Sequence, residues 1–444
     1  MEILTMHRSD TVYKKLMDQT VLAEFFNPVL QSFEKVRYSD NRFLSLPMKA
    51  FCLFGCLRHL NGVAAMREQV QQFFHMAECT DMPVPRSTYS DALSSASRCI
   101  ISQDLLKPLI DIARKQLPDR FEKISELGDR PIFAVDGSYQ KESTHYQRLT
   151  PKEGGDDNHK GHMMLTLFDV RMGVPIDVAI ETKNTHETLV LKNNFNSPEG
   201  CLRKRNAIFV VDRAFVNMPF WDAQKKTYAQ TSITRWKDNL IVKSSVARTV
   251  NLCAMNEGVV SDDSVSLNAS AEEWRCIRYK TPEGKELVFL SNELTIEPGL
   301  IAFLYLRRWD EEKCFDTWKN DFSCKKAWSK SNNGIFQQAL LAVMTSLLVQ
   351  LFSNHHKNAL GIEDEASLKK QDDLQNKNAR EKGHRIPWYR DFFRSASKVT
   401  RQILRFLRSC LMKTPSKSLY ERQPRPLYLS IFEVGRTLLS KNVG

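Results

Sequence analysis

The chain has no Cys-x-x-Cys pair among its ten cysteines and no dense cysteine framework, which favours reduced thiols in a cytoplasmic protein over the disulfides of a secreted one. Its opening residues, MEILTMHRSDTVYKK, lack an apolar signal core, so no secretion signal is expected. It also lacks a long uninterrupted hydrophobic run. The longest apolar stretch, 339–352, is 14 residues and includes Thr345, Ser346 and Gln350, which predicts a buried helix and no membrane span. There is no internal repeat and no strict low-complexity tract.

What is present is enough apolar material, 42% of 444 residues, for a large core and two or three subdomains. A net charge of +12 and a pI near 9.1 point to a polyanionic partner, without separating DNA from RNA or an acidic membrane surface. Most of the excess lies in 379–425, where thirteen Lys or Arg stand against Glu381, Asp391 and Glu421, a net +10. The amphipathic run VTRQILRFLRSCL there reads either as a solvated surface or as a helix for the DNA backbone or for dimer formation.

Helical periodicity in PMKAFCLFGCLRHL and MREQVQQFFHMA marks 1–125 as a helical N-terminal domain, and DNA binding is the function expected of it. Within it, NGVAAMREQVQQFFHMA, CTDMPVPR and STYSDALSSASR fit a helix-turn-helix whose second helix, capped by Ser87 or Thr88, exposes Tyr89, Ser90 and Arg98. An ordinary helical hairpin packed on the core is the competing reading, because the turn is long for the motif. Past Arg130, PIFAVDGS, HMMLTLFDV and VPIDVAIET predict three strands, the last two joined by a turn at Arg171, Met172 and Gly173. A helix from about Glu187 follows, then strands in NAIFVVDRAF and YAQTSITRW with a helix between them. That order describes an α/β fold, a mixed sheet of the ribonuclease H type over 126–356. Residues 237–298 contain LIVKSS, EEWRCIRYK and ELVFLSNE and predict a β-rich insertion. One helix is expected over 298–322 and a buried one over 335–352. Residues 357–382 read as a linker or disordered loop, and 383–444 as a basic helical C-terminal region.

Tyr305, Arg308, Glu312 and Lys319 are spaced by 3, 4 and 7 residues. On one continuous helix they fall within an arc of about 60°, apart from the apolar stripe of Leu304, Phe315 and Trp318. A ring, a guanidinium, a carboxylate and an ammonium in one row suit phosphate, a metal ion and an unstacked base. Asp136 and Asp212 each end an apolar strand, so neighbouring strands would place both carboxylates at one rim, with Glu312 as a third. Three carboxylates repel one another unless cations lie among them, and their oxygens suit Mg²⁺ or Mn²⁺. Two such ions can activate a water or 3′ hydroxyl and stabilise the leaving oxygen of an in-line phosphoryl displacement. A single acid of this kind is most simply a strand-end residue in a turn; three in this order point to the metal-binding reading.

VDGSY around Asp136, VVDRAF around Asp212 and YLRRWDEEKCFDTWK around Glu312 resemble the three active-site blocks of DDE transposases of the insertion sequence four family. The third block matches that family's Tyr-x2-Arg-x3-Glu-x6-Lys signature at every position, and HMMLTLFDVRMGVPIDVAIETKNTHET resembles its central hairpin and the acid-containing turn after it. The resemblance covers about 130–325. It implies cut-and-paste transposition, with cleavage of transposon ends through a hairpin intermediate and strand transfer into target DNA. Asp136, Asp212 and Glu312 would bind two Mg²⁺ or Mn²⁺ ions, and Tyr305, Arg308 and Lys319 would hold phosphates and help position a flipped base. The partners implied are double-stranded DNA, as terminal inverted repeats and target, and a second copy in a synaptic homodimer. No membrane partner is expected, and the location implied is the bacterial cytoplasm, with the nucleoid. A catalytically silent DNA-binding derivative and a metal-dependent nuclease without strand transfer are the alternatives.

Other signals carry less. Arg213 either orients Asp212 or touches DNA, or forms a surface ion pair. Trp309 and Trp274 are stacking candidates for which core packing is the simpler reading. Cys52, Cys56 and His59 share a helix face, but sit among Phe, Leu and Gly and read as buried side chains. His159 and His162 read as loop residues near DNA.

Overall fold

The computed structural model describes residues 20–39, 46–61, 86–141, 161–181, 185–198, 200–322, 324–356, 373–374, 376–389, 403–404 and 407. Its frame is a nine-stranded sheet. The strands are β1 (Ile132–Lys141), β2 (Gly161–Asp169), β3 (Val174–Glu181), β4 (Ile208–Val211), β5 (Thr231–Arg235), β6 (Val242–Ala247), β7 (Val259–Leu267), β8 (Glu273–Lys280) and β9 (Glu286–Ser291), in the order β3-β2-β1-β4-β5-β9-β8-β7-β6. β1, β2 and β3 are antiparallel neighbours, while β4 runs parallel to both β1 and β5. The β-rich stretch does not form a sheet of its own, because β9 pairs antiparallel with β5 and continues the central one.

Alternation along β1 explains how the sheet is covered. Phe133 and Val135 enter one core with Trp221, whereas Ile132 and Ala134 point the opposite way into a second core with Leu300 and Leu304. All four residues of β4 are buried, as a central parallel strand between two layers requires. The helices are α1 (Thr20–Lys35), α2 (Met48–Asn61), α3 (Arg86–Ser94), α4 (Ala96–Gln116), α5 (Glu187–Asn194), α6 (Met218–Tyr228), α7 (Pro298–Arg307), α8 (Trp309–Asn320) and α9 (Asn332–His356). α9 is long and apolar enough by length and composition to cross a membrane, but 83% of its most apolar window is buried inside the protein. It packs against α1, α2, α4 and β3 and joins the N-terminal helices to the sheet.

Several expectations change at this level. The first helix of the proposed helix-turn-helix lies outside the described residues. In the second, Tyr89 is 1% exposed and edge-on to Phe54, and Arg98, on the next helix, is 4% exposed and donates to the Leu46 carbonyl. Neither is displayed to DNA; only Ser90 is exposed. Of 357–382, residues 373–374 and 376–381 are helical. Ile403, Leu404 and Leu407 of the basic segment are fully buried in the main core, so that part of its apolar face closes on this chain.

Candidate active site

The helix expected over 298–322 is two helices. All ten residues of α7 are buried, Leu300 to Leu306 in the core shared with Ile132 and Phe289, whereas Phe315 and Trp318 of α8 belong to the other core, with the Trp318 indole donating to Ser346 of α9 at 2.8 Å. The chain passes from one core to the other at Arg308. Its N–H bonds the Tyr305 carbonyl at 3.1 Å in a tightened turn. The stripe therefore bridges two elements, with Tyr305 ending α7, Arg308 at the joint, and Glu312 and Lys319 on α8.

The two aspartates are brought together by strand register. Val135 of β1 is paired with Val211 of β4, so continuing one residue sets Asp136 beside Asp212 where β4 ends; Asp136 itself does not end its strand as expected, because β1 runs on to Lys141 paired with β2. From the helical side, Arg308 Nη1 donates to Asp136 Oδ2 at 2.8 Å and Nη2 to Glu312 Oε1 at 2.8 Å. One guanidinium thus links the first and third acids, Arg308 and Asp136 being 172 residues apart in sequence. Asp136 also accepts from the Gly137 N–H at 2.9 Å.

Burial pushes the Asp136 carboxyl above its ordinary range; Arg308 opposes this, while the nearby charges of Asp212 and Glu312 add to it. Burial likewise opposes the charge on Arg308, but Asp136, Tyr305, Glu312 and Asp212 outweigh it and hold that guanidinium protonated. Removal from water and two like charges together outweigh the Arg308 charge and the Gly137 N–H. The side chain of Arg308 is 7% exposed, that of Asp136 18% and that of Glu312 52%.

Tyr305 is 3% exposed, its ring packed 5.1 Å from Phe289 and beneath the Arg308 guanidinium at 5.6 Å. That ring is covered, which corrects the expectation of a free stacking surface. Trp274 is fully buried and donates to Asp222 and Ser270, so it is a core residue. The side chain of Trp309 lies outside the described residues. Lys319 is half-buried in the last turn of α8, and Arg213 half-buried in the turn after Asp212; neither is drawn into the Arg308 bridge. His162 lies within β2 at 4% exposure and is no loop residue, and His159 lies outside the described residues. Cys52, Cys56 and His59 are fully buried, with burial pushing the Cys56 thiol up to about 12 and the His59 imidazole down to about 3.

One residue was missed. Arg235 ends β5, and the β4–β5 register, which pairs Val210 with Ile233, runs on to set Arg235 opposite Asp212. Its Nε is buried without a partner among the described residues, and its charge acts on Tyr305. The strand-end rule that singled out the aspartates applies equally to the Arg of TSITRW.

Among the described residues, no group of three or more His, Cys, Asp or Glu side chains is arranged to hold a metal ion. Asp136 and Glu312 share the Arg308 guanidinium and Asp212 lies near enough to act on Asp136 by its charge; carboxylate oxygens of this kind are the donors a hard divalent cation takes, and Glu312 is exposed enough to turn toward the other two. What stands between Asp136 and Glu312 is Arg308.

A comparison with curated proteins finds no match. A solved structure described as a piggyBac transposase synaptic complex with hairpin DNA is similar over 97% of this chain and 86% of that one, at 12% identity and a TM-score of 0.36. The family model of the transposase DDE domain matches residues 127–348, half of the chain, and spans Asp136, Asp212 and Glu312. The chain therefore belongs to the DDE transposase family.

Proposed function

We propose that this protein is a cut-and-paste DNA transposase of the insertion sequence four type, cleaving transposon ends and joining them to target DNA in a synaptic homodimer in the bacterial cytoplasm. The observation that carries the reading is the meeting of Asp136, Asp212 and Glu312 from two neighbouring parallel strands and a helix, with Arg308 between two of them. The strand order β3-β2-β1-β4-β5, antiparallel then parallel, supports a ribonuclease H-like core, with β6–β9 as its insertion.

Asp136, Asp212 and Glu312 would hold Mg²⁺ or Mn²⁺. Such ions, when bound, supply a deprotonated water or hydroxyl nucleophile and charge neutralisation of the leaving oxygen. Arg308 and Arg235 flank these acids with guanidinium groups suited to phosphate oxygens, and Lys319 extends the positive row along α8. Tyr305 supports Arg308 from beneath, holding the guanidinium at the acid rim. The net charge of +12 draws the chain to a polyanion.

The test is incubation with the element's terminal repeats and Mg²⁺. Excision and joining are expected from the wild type, and Glu312→Ala should retain DNA binding while losing cleavage. Cleavage without joining would make the protein a nuclease. Binding without cleavage would make it a silent DNA-binding derivative.

A further inference from the structure

We propose that Arg308 is a built-in counter-cation of the acid pocket that exchanges places with divalent ions, so that ion loading turns its guanidinium from the carboxylates toward the DNA. The proposal rests on the metal-dependent reading above. Arg308 donates separately to Asp136 and Glu312, each at 2.8 Å, and Nε is buried without a partner among the described residues. The fork takes Asp136 Oδ2 and Glu312 Oε1 while the Gly137 N–H takes Asp136 Oδ1, so an ion bridging these two acids competes with the guanidinium for their oxygens and is repelled by its charge.

Two features make the exchange feasible. Arg308 sits at the joint between α7 and α8 with helical backbone angles, φ −53° and ψ −30°, so the exchange is a rotation of its side chain. Glu312 is half exposed and can turn, whereas Asp136 is fixed by its strand and by the Gly137 N–H. Arg308 cannot hold both acids and a phosphate together, so ion binding and phosphate binding favour each other by linkage.

The experiment is titration of the full chain with Mn²⁺ alone, reading free Mn²⁺ by electron paramagnetic resonance. Wild type should bind Mn²⁺, and Arg308→Ala should bind it about tenfold tighter or more, the size expected on removing charge-assisted bonds to two carboxylates. Arg308→Lys, which keeps the charge but loses the fork, should fall between, and it decides the matter if the alanine variant fails to fold. The pair Asp136→Asn with Glu312→Gln should abolish binding. Unchanged or weaker affinity in both Arg308 variants overturns the exchange and leaves the metal reading standing. Equal tightening by Arg235→Ala would reduce the effect to general charge and also overturn it. No Mn²⁺ binding by the wild type overturns both readings.

Discussion

The indole N–H of Trp274, in β8, donates to the carboxylate of Asp222, in α6, at 3.2 Å, and both side chains are buried. The same carboxylate accepts from Ser270 Oγ at 2.7 Å and from the Ala271 N–H at 3.1 Å. One acid thus pins the β7–β8 connection and the start of β8 to α6. Asp222→Ala should lower stability by about 2–3 kcal/mol, because buried donors lose their acceptor. It should also open 237–298 to limited proteolysis, whereas Asp222→Asn, which keeps an oxygen, should do less. Wild-type stability and cleavage pattern in the alanine variant would refute the pin.

A second anchor is sensitive to acid. Glu293 is 2% exposed, and although burial raises its pKa, the Arg130 guanidinium at 2.7 Å and the Thr295 hydroxyl and N–H bring it down to about 2. A carboxyl with a depressed folded-state pKa stabilises above its unfolded value, near 4.5, and loses that contribution as pH falls toward 2. The expected stabilisation at neutral pH is about 3 kcal/mol. Denaturant unfolding of wild type and Glu293→Gln should therefore differ at pH 7 and converge as pH drops through this window. A gap independent of pH would disprove the account.

Gly299, the second residue of α7, fits against backbone. A Cβ there would lie 1.8 Å from the Met255 carbonyl oxygen. Gly299→Ala should push the start of α7 away from 254–256 at a cost of about 1–3 kcal/mol or more. Since α7 delivers Tyr305 and Arg308 to the acids, cleavage should fall further than the fraction of folded protein does. Circular dichroism melts beside cleavage rates separate the two effects.

Arg235 should act on DNA binding. Arg235→Ala is expected to weaken binding and to reduce the slope of log affinity against log salt by about 1, as loss of one phosphate contact does. Binding isotherms at several salt concentrations measure this, and an unchanged slope would place Arg235 off the DNA path.

Much of the catalytic half was legible because its signals are local. Strand-length apolar runs ending in Asp136 and Asp212, turn residues ending in Gly173 at φ 72°, and signature spacing from Tyr305 to Lys319 each fall within a short window. The helix break at Arg308 was not legible. Helical spacing continues through it, and Arg308 keeps helical angles; the division shows only in packing, which sends Leu304 and Phe315 to different cores. Tyr305 was misjudged on similar grounds, because Phe289, which covers its ring, comes from the insertion. The same holds for Tyr89 and Arg98, whose partners Phe54 and Leu46 lie on the preceding helix and the approach to it.

The sequence by itself determined which residues are candidates for the chemistry and that they lie on or beside strands and helices, because periodicity and apolar runs are properties of neighbouring residues. Tertiary structure decided which of them touch. The β1–β4 register sets Asp136 beside Asp212, and the passage of the chain between two cores places Arg308 between Asp136 and Glu312. Both depend on long-range packing, which no local spacing encodes.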